Sequence, residues 1–217
     1  MPASRLHLVR HGEVFNPEGV LYERIDGFGL SELGEQMAKA AADSLVASGR
    51  PVRKLIVSPL LRAQQSARPI AEAFGLEPVV DERVIEPWNA FRGLKIGLRA
   101  ILKRPSIALK LLNPSKPSWG EPFADISTRM LESALENGSE DLPGDVVIVS
   151  HQLPIWMLYR LSQGLALAHD PRSRRCSLSS ITSFEIRDGK LVEVDYREPG
   201  VEFANSIKKS ATDGGAV

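Results

Sequence analysis

The sequence predicts an α/β fold: a three-layer sandwich with a mostly parallel central sheet, helices on both faces and a C-terminal hairpin. Two observations carry this prediction. Short apolar runs typical of buried strands alternate with helical segments along most of the chain. Near the C-terminus, Asp188-Gly189 separates two strand-like segments, 178–186 and 190–196, and this dipeptide is typical of a type I′ hairpin turn.

The elements follow one another in a regular order. Residues 5–10 alternate between polar and apolar and predict the first strand, and the Gly-, Asn- and Pro-rich residues 11–30 predict a long loop. Ser31 is a good N-cap for the helix that follows. The remaining segments are helices over 34–48, 60–74, 123–137 and 153–161, with a kink at Pro69, and strands over 54–57, 77–80 and 145–149.

The composition is that of an ordinary globular domain. The 217 residues are 43% hydrophobic and 25% charged, and 27 basic side chains balance 27 acidic ones. Because the net charge is zero, no nucleic-acid partner is indicated. Cys176 is the single cysteine, which excludes an intramolecular disulfide and favours a reducing compartment. With no signal peptide and no long apolar run, we expect a cytoplasmic protein without stable membrane association.

Residues 87–120 interrupt the alternation of strands and helices. Between Pro87 and Gly120 there are seven basic and no acidic residues, and apolar side chains recur at helical spacing, so a basic amphipathic helix is predicted. Three roles stay open for it: a lid that recruits anionic substrate, a surface or homodimer contact, or a helix that docks on an anionic membrane. We assign residues 1–203 to one domain with this insert and expect 204–217 to be a disordered tail.

Charged and titratable side chains collect where the predicted strands end. Ligands bind at the carboxyl ends of the strands in parallel sheets. The side chains that reach this edge are Arg10 and His11, then Arg62, then Glu82 and Glu86, and finally His151 and Gln152. The sequence therefore predicts a strongly cationic pocket.

Such a pocket suits phosphoryl transfer. The guanidinium groups of Arg10 and Arg62 can clamp one phosphoryl group, and a neutral imidazole beside it is a nucleophile that can form a covalent phosphoenzyme. Glu86 could protonate the leaving oxygen if its pKa is raised, with Glu82 as the alternative acid. No metal-ligand spacing is evident, and the arginines can neutralise the phosphoryl oxygens, so we expect neither metal nor cofactor.

Four ordered blocks resemble the histidine phosphatase superfamily, the phosphoglycerate-mutase-like proteins. They are RHGE at 10–13, SPLLRAQQSA at 58–67, DERVIE with FRG over 81–93, and VVIVSHQ at 146–152. The resemblance implies a phosphohistidine on His11, a second histidine at His151, phosphate-binding Arg10 and Arg62, and an acid at Glu86. It makes Asn16 and Gln152 candidate phosphate contacts. It also implies phosphate esters as substrates and no metal.

Three functions are consistent with this resemblance. We expect a metal-independent phosphatase acting on a small phosphorylated substrate. A phosphoglycerate-type mutase and a non-catalytic phospholigand-binding protein stay open as alternatives. Among the other polar residues, His7 is expected in the core, whereas the basic cluster Arg172, Arg174 and Arg175 is either a solvated loop or a grip on a second anionic group.

Overall fold

The structure, a computed structural model, describes residues 4–89, 92–93, 120–138 and 143–203. Its strands are β1 (Arg5–Arg10), β2 (Val52–Val57), β3 (Val79–Val80), β4 (Asp145–Ser150), β5 (Ile181–Arg187) and β6 (Lys190–Arg197). Its α-helices are α1 (Glu32–Ala47), α2 (Leu61–Phe74), α3 (Phe123–Gly138) and α4 (Gln152–Ser162). Short 3₁₀ turns lie at Glu82–Val84 and Pro171–Ser173. The predicted basic helix and the predicted disordered tail lie outside the described residues, and both stay predictions.

The six strands form one sheet in the order β3-β2-β4-β1-β5-β6. The first four in this order are parallel to one another, and β5 and β6 add an antiparallel hairpin next to β1. The hairpin turns at Asp188 and Gly189, whose φ angles are 51° and 72°. Positive φ at both central positions is the type I′ turn that the sequence predicts. The predicted fold class is confirmed.

Helices cover both faces of the sheet. The side chains of a strand point alternately to opposite faces, and those of β4 divide accordingly. Val146 and Ile148 pack with α3 and α4, whereas Val147 and Val149 pack with α1 and α2. All four side chains are buried, so this central strand is apolar on both faces, as parallel strands usually are.

The first helix is anchored to the loop after β1. The Ser31 hydroxyl accepts a hydrogen bond from the Gly34 N–H at 3.0 Å, so Ser31 is the N-cap that the sequence predicts. Backbone also meets backbone here: a Cβ at Gly12 would lie closer than 3.0 Å to the Gly34 carbonyl, and a Cβ at Gly34 equally close to the Glu13 carbonyl. Both positions therefore require glycine.

A buried polar cluster ties β1 to β4 and β5. His7 is 1% exposed, and its ring nitrogens lie 2.8 Å from Ser183 Oγ and 3.0 Å from Asp145 Oδ2. Asp145 also accepts hydrogen bonds from the Arg50 side chain and from the Arg5 N–H. His7 is thus a core histidine, as predicted. Within the described residues, none of the helices is long and apolar enough to cross a bilayer.

Candidate active site

His11 follows β1 and is almost fully buried at the carboxyl edge of the sheet. Its Nδ1 lies 2.7 Å from the Gly12 carbonyl oxygen. Because a carbonyl only accepts, Nδ1 must carry the proton, which leaves the lone pair on Nε2. Burial, followed by the charges of Arg62 and Arg10, lowers the pKa of His11 well below its ordinary value. The imidazole is therefore neutral at physiological pH, which is the nucleophilic form.

The two arginines beside His11 are buried, and each donates a hydrogen bond to a backbone carbonyl. Arg10 donates from Nη1 to the Cys176 carbonyl at 2.8 Å. Arg62, 1% exposed, donates from Nη2 to the Glu23 carbonyl at 2.7 Å, and its guanidinium lies 4.8 Å from the centre of the Tyr22 ring. The charges of both guanidiniums lower the pKa of His11, so both lie near its ring, as the sequence predicts.

His151 follows β4 and lies opposite His11. The two ring centres are 5.1 Å apart in an edge-to-face arrangement. The Nε2 atom of His151 lies 2.7 Å from Ser58 Oγ, and Ser58 directly follows β2. His151 is also the N-cap residue of α4, so the positive end of that helix dipole points at the same place. The carboxyl ends of β1, β2 and β4 thus bring these side chains together at one site.

Glu86 places a carboxyl group beside these histidines. Its Oε2 atom lies 3.4 Å from His151 Nδ1. Burial raises the pKa of Glu86, although Arg62, Arg10 and other guanidiniums oppose the shift. Glu82, the alternative acid, is exposed in the 3₁₀ turn. Of the two candidate acids, Glu86 therefore lies beside the histidines, and its role as the acid stays a prediction.

The two remaining candidate phosphate contacts are placed differently. Asn16 is engaged by its own loop, since its amide donates to the Val20 carbonyl at 2.9 Å and accepts from the Val20 N–H at 3.2 Å. These bonds close the loop four residues later, and the phosphate contact of Asn16 stays a prediction. Gln152 lies beside His151, but its amide faces Cys176 and Arg174.

The three arginines of the basic cluster have three different surroundings. Arg172 is exposed and pairs with Asp170. Arg175 pairs with Glu193 and lies over the rings of Tyr159 and Tyr196.

Arg174 turns toward the pocket instead. It donates from Nη1 to Gln152 Oε1 at 3.2 Å and from Nε to His169 Nε2 at 2.9 Å. Burial lowers the pKa of Arg174 to about 10; the charge of Glu86 opposes this shift and that of Arg10 adds to it. Arg174 therefore remains a cation at neutral pH. The cluster is therefore not a uniformly solvated loop.

Two residues near Arg62 were not predicted from the sequence. Tyr22 and Glu23 lie in the long loop after β1, where no periodic pattern indicates which side chains point inward. Both are buried, and Glu23 is an electrostatic neighbour of Glu86. Residues 11–30 hold three aromatic and four acidic residues, so composition could not single out these two.

Three of the pocket residues could in principle hold a metal ion. His11, Glu86 and His151 each offer one ligand atom, and these atoms lie within 4.8 Å of one another. Spacing along the chain could not indicate this group, because its members come from three different strand ends. The adjacent guanidiniums of Arg10 and Arg62 repel a divalent cation, and they suit an anion at the same place. The absence of a metal thus stays a prediction.

The sequence profile of the histidine phosphatase superfamily (branch 1) matches residues 6–199. The chain belongs to this superfamily. The uncharacterised protein Rv0525 of Mycobacterium tuberculosis is 43% identical to it over 197 residues, which cover 90% of this chain and 96% of that protein. The Yersinia enterocolitica protein named probable phosphoglycerate mutase GpmB is 30% identical over 228 residues, covering 96% of this chain and 93% of that one.

The fold of this chain is also similar to that of a solved phosphatase structure. The mycobacterial glucosyl-3-phosphoglycerate phosphatase Rv2419c, in complex with inorganic phosphate, is similar to this chain with a TM-score of 0.70 and 26% identity. The match covers 91% of this chain and 99% of that one. The family resemblance that the four sequence blocks predict is confirmed, and the proteins similar to this chain include one named a phosphatase and one named a probable mutase.

Proposed function

We propose that this histidine phosphatase hydrolyses small-molecule phosphate monoesters through a phosphohistidine at His11, without a metal ion. The observation that carries the proposal is the hydrogen bond from His11 Nδ1 to the Gly12 carbonyl, which leaves a neutral Nε2 in a pocket with two buried guanidiniums. The similarity to a phosphatase that binds inorganic phosphate supports it.

In the first step, His11 Nε2 attacks the phosphorus atom of the bound ester. A P–N bond forms while the bond from phosphorus to the leaving oxygen breaks, and Glu86 gives its proton to that oxygen. Arg10 and Arg62 stabilise the charge on the phosphoryl oxygens, which is the main task of catalysis in phosphoryl transfer. The Gly12 carbonyl keeps the proton on Nδ1 and stabilises the positive ring of the phosphohistidine.

In the second step, water attacks the same phosphorus atom. The carboxylate of Glu86 takes a proton from the water as the P–N bond breaks, and the electron pair returns to His11 Nε2. The products are an alcohol and inorganic phosphate, and both His11 and Glu86 return to their starting protonation states. The net reaction consumes one ester and one water molecule.

A mutase is the second candidate, because the relative named probable phosphoglycerate mutase GpmB is 30% identical over almost the whole chain. In a mutase the phosphohistidine would pass its phosphoryl group to a second hydroxyl of the substrate rather than to water. A protein that binds phosphorylated ligands without turning them over is the third. The neutral nucleophile and the adjacent acid favour catalysis over binding alone.

A cytoplasmic location is also part of the proposal. Cys176 is the only cysteine of the chain and is buried, so the fold contains no intramolecular disulfide that would require an oxidising compartment. Cell fractionation with an antibody against this protein tests the location.

The test of the proposed function is a phosphate-release assay over a panel of phosphate esters, including p-nitrophenyl phosphate and both phosphoglycerates. We expect release of inorganic phosphate, and we expect His11→Ala to lower kcat by about a thousandfold or more because the covalent route is lost. The matched control is His7→Gln, a histidine of β1 that lies outside the pocket. It should retain turnover at temperatures where it is folded.

The same assay separates the three candidates. Interconversion of the phosphoglycerates without phosphate release would support the mutase, and ligand binding without either reaction would support the binding protein. A quench with radiolabelled ester should trap acid-labile phosphate on His11. Label on another residue would contradict the proposed mechanism.

A further inference from the structure

The backbone that carries Glu86 is held by side chains of other elements. After β3 the chain makes only a short 3₁₀ turn and then runs irregularly, and we call residues 81–89 the acid segment. Because a short turn has few backbone hydrogen bonds of its own, contacts from outside fix where Glu86 lies. Three carbonyl groups of the segment accept such hydrogen bonds: that of Arg83 from Arg129 Nη1 at 2.5 Å, that of Val84 from Ser150 Oγ at 2.6 Å, and that of Glu86 from Arg24 Nε at 2.5 Å.

One carboxylate holds both of these outside arginines. Oε1 of Glu121 accepts from Nε of Arg129 at 2.7 Å, and Oε2 accepts from Nη2 of Arg24 and Nη2 of Arg129, each at 3.2 Å. The side chain of Glu121 is only 12% exposed, so these ion pairs are weakly screened. A guanidinium presents its donors in a rigid plane, so a carboxylate that holds one edge also orients the other N–H groups. Glu121 therefore orients the donors to the Arg83 and Glu86 carbonyls.

The main chain of Glu121 is also attached to the acid segment. Its N–H donates to the Trp88 carbonyl at 3.1 Å, and the preceding Gly120 forms an isolated bridge with Asn89. A Cβ at Gly120 would lie 3.0 Å from the Trp88 carbonyl oxygen, so the two segments approach closely. Side chain and main chain thus connect Glu121 to the backbone on both sides of Glu86.

The contacts of Glu121 determine what kind of role it can have. Both of its carboxylate oxygens accept from arginines, so this carboxylate is not placed to react with an ester itself. Its effect on the reaction passes through the position of Glu86. A general acid must come within about 2.6–3.2 Å of the oxygen that it protonates. A displacement of about 1 Å can lower the rate by up to about a hundredfold.

We propose that Glu121 is a positioning residue for proton transfer: acting through Arg24 and Arg129, it holds the backbone of Glu86 so that the carboxyl group reaches the leaving oxygen. This inference rests on the proposed function, in which Glu86 protonates that oxygen. The proton moves from Glu86 to the leaving oxygen as its bond to phosphorus breaks, and Glu121 neither gains nor loses a proton. Replacing Glu121 should therefore slow only those reactions that need the acid.

The first test is the dependence of kcat on the leaving group. Glu121→Gln keeps the size of the side chain, but an amide is uncharged and has one acceptor oxygen in place of two, so it cannot hold both arginines. We expect kcat to fall about tenfold for an alkyl phosphate and less than about twofold for p-nitrophenyl phosphate. KM should change little, because Arg10 and Arg62 keep their own backbone partners. An equal loss of kcat on both substrates would contradict the proposal.

Two further variants make this test specific. Glu136→Gln removes the same charge from an exposed carboxylate that also pairs with an arginine of the acid segment, Arg83, and it should keep the wild-type kcat on both substrates. Arg129→Lys keeps the positive charge, but a single ammonium group cannot reproduce the contacts with the Arg83 carbonyl and both Glu121 oxygens. It should repeat the selective loss, which keeps the test decisive if Glu121→Gln does not fold.

A double-mutant cycle shows whether Glu121 acts through Glu86. In a Glu86→Gln background the acid is already absent, so its position no longer matters. Adding Glu121→Gln to that background should lower kcat for the alkyl phosphate by less than about twofold, against about tenfold in the wild type. A second tenfold loss would mean that Glu121 acts elsewhere, and the proposal would be wrong.

Hydrogen exchange measured by mass spectrometry gives a readout that does not depend on turnover. Peptides from the acid segment should exchange faster in Glu121→Gln than in the wild type, whereas peptides from β4 should exchange alike. Unchanged exchange in the acid segment would overturn the inference whatever the activity. If that segment exchanges faster but the wild type cleaves no ester, the proposed function fails and the anchoring by Glu121 stands. If esters are cleaved and Glu121→Gln keeps the wild-type leaving-group dependence, the function stands and the inference is wrong.

Discussion

The Nδ1 atom of His151 lies 3.4 Å from Oε2 of Glu86 in the candidate site. Burial, Arg62 and His11 lower the pKa of His151, while burial raises that of Glu86. Both shifts favour the neutral form of the pair, an imidazole facing a protonated carboxyl. In this state the Ser58 hydroxyl can accept from His151 Nε2, and Glu86 holds the proton that the leaving group needs.

The role of Glu86 as the acid can be tested through the leaving group. Glu86→Gln should lower kcat by about a hundredfold or more for alkyl phosphates, whose leaving oxygen must be protonated. The loss should be much smaller for p-nitrophenyl phosphate, whose leaving group is stable as an anion. Steady-state kinetics on both substrate types measure the difference. Glu82→Gln is the matched control, and an equal loss on both substrates would remove Glu86 from the acid role.

Chelation tests whether the His11, Glu86 and His151 group holds a metal ion in the working enzyme. We expect dialysis against EDTA to leave kcat within about twofold of its starting value, because Arg10 and Arg62 neutralise the phosphoryl oxygens. Metal analysis of the dialysed protein is the control. Loss of activity that Zn²⁺ or Mg²⁺ restores would show that these residues are metal ligands.

Arg174 provides a test of substrate class. Its guanidinium is held by Gln152 and His169, and its charge acts on Glu86, so it is placed to contact a second anionic group of the substrate. Arg174→Gln should raise KM about tenfold for phosphate esters that carry a carboxylate and change kcat little. Arg172→Gln, at an exposed position, is the control. An equal effect on p-nitrophenyl phosphate would argue against a second anion site.

The cluster around Asp145 predicts a loss of stability in acid. Burial alone would raise the pKa of Asp145, but hydrogen bonds from His7, Arg50 and the Arg5 N–H outweigh it and lower that pKa below the ordinary 3.8. The resulting stabilisation is present above about pH 4 and is lost as the pH falls through the lowered value.

Asp145→Asn should therefore be less stable than the wild type by about 2–4 kcal/mol at neutral pH, because it leaves His7 and Arg50 without their buried partner. Urea unfolding at a series of pH values measures this gap. The gap should stay constant above about pH 5 and narrow below about pH 4. A gap that does not change with pH would show that Asp145 has the same pKa in the folded and unfolded chain.

The sequence was sufficient to predict features that depend on local pattern. The Ser31 cap, the turn at Asp188-Gly189 and the strands after which His11 and His151 lie all follow from residues close together in the chain. The strand-end rule then brings the two histidines together.

Features that depend on loop conformation could not be predicted in this way. The side chain of Asn16 bonds to the Val20 backbone within an irregular loop that has no periodic pattern. Glu23 is buried with a positive φ because its carbonyl accepts from Arg62, which is distant in sequence. The role of Arg174 stayed open for the same reason, since its anchor His169 packs on Phe123 and Trp156 of other helices.

The contact between Gly12 and Gly34 limits how this enzyme can change. Most packing contacts tolerate drift, because a larger side chain on one side can be compensated by a smaller one opposite. Here two backbones meet, so neither position has a side chain to shrink, and second-site suppression between them is impossible. Directed evolution must therefore leave Gly12 and Gly34, which fix the backbone next to His11, unchanged. Variation is better sought at side chains near the candidate site whose partners are also side chains, such as Arg174 with Gln152 and His169.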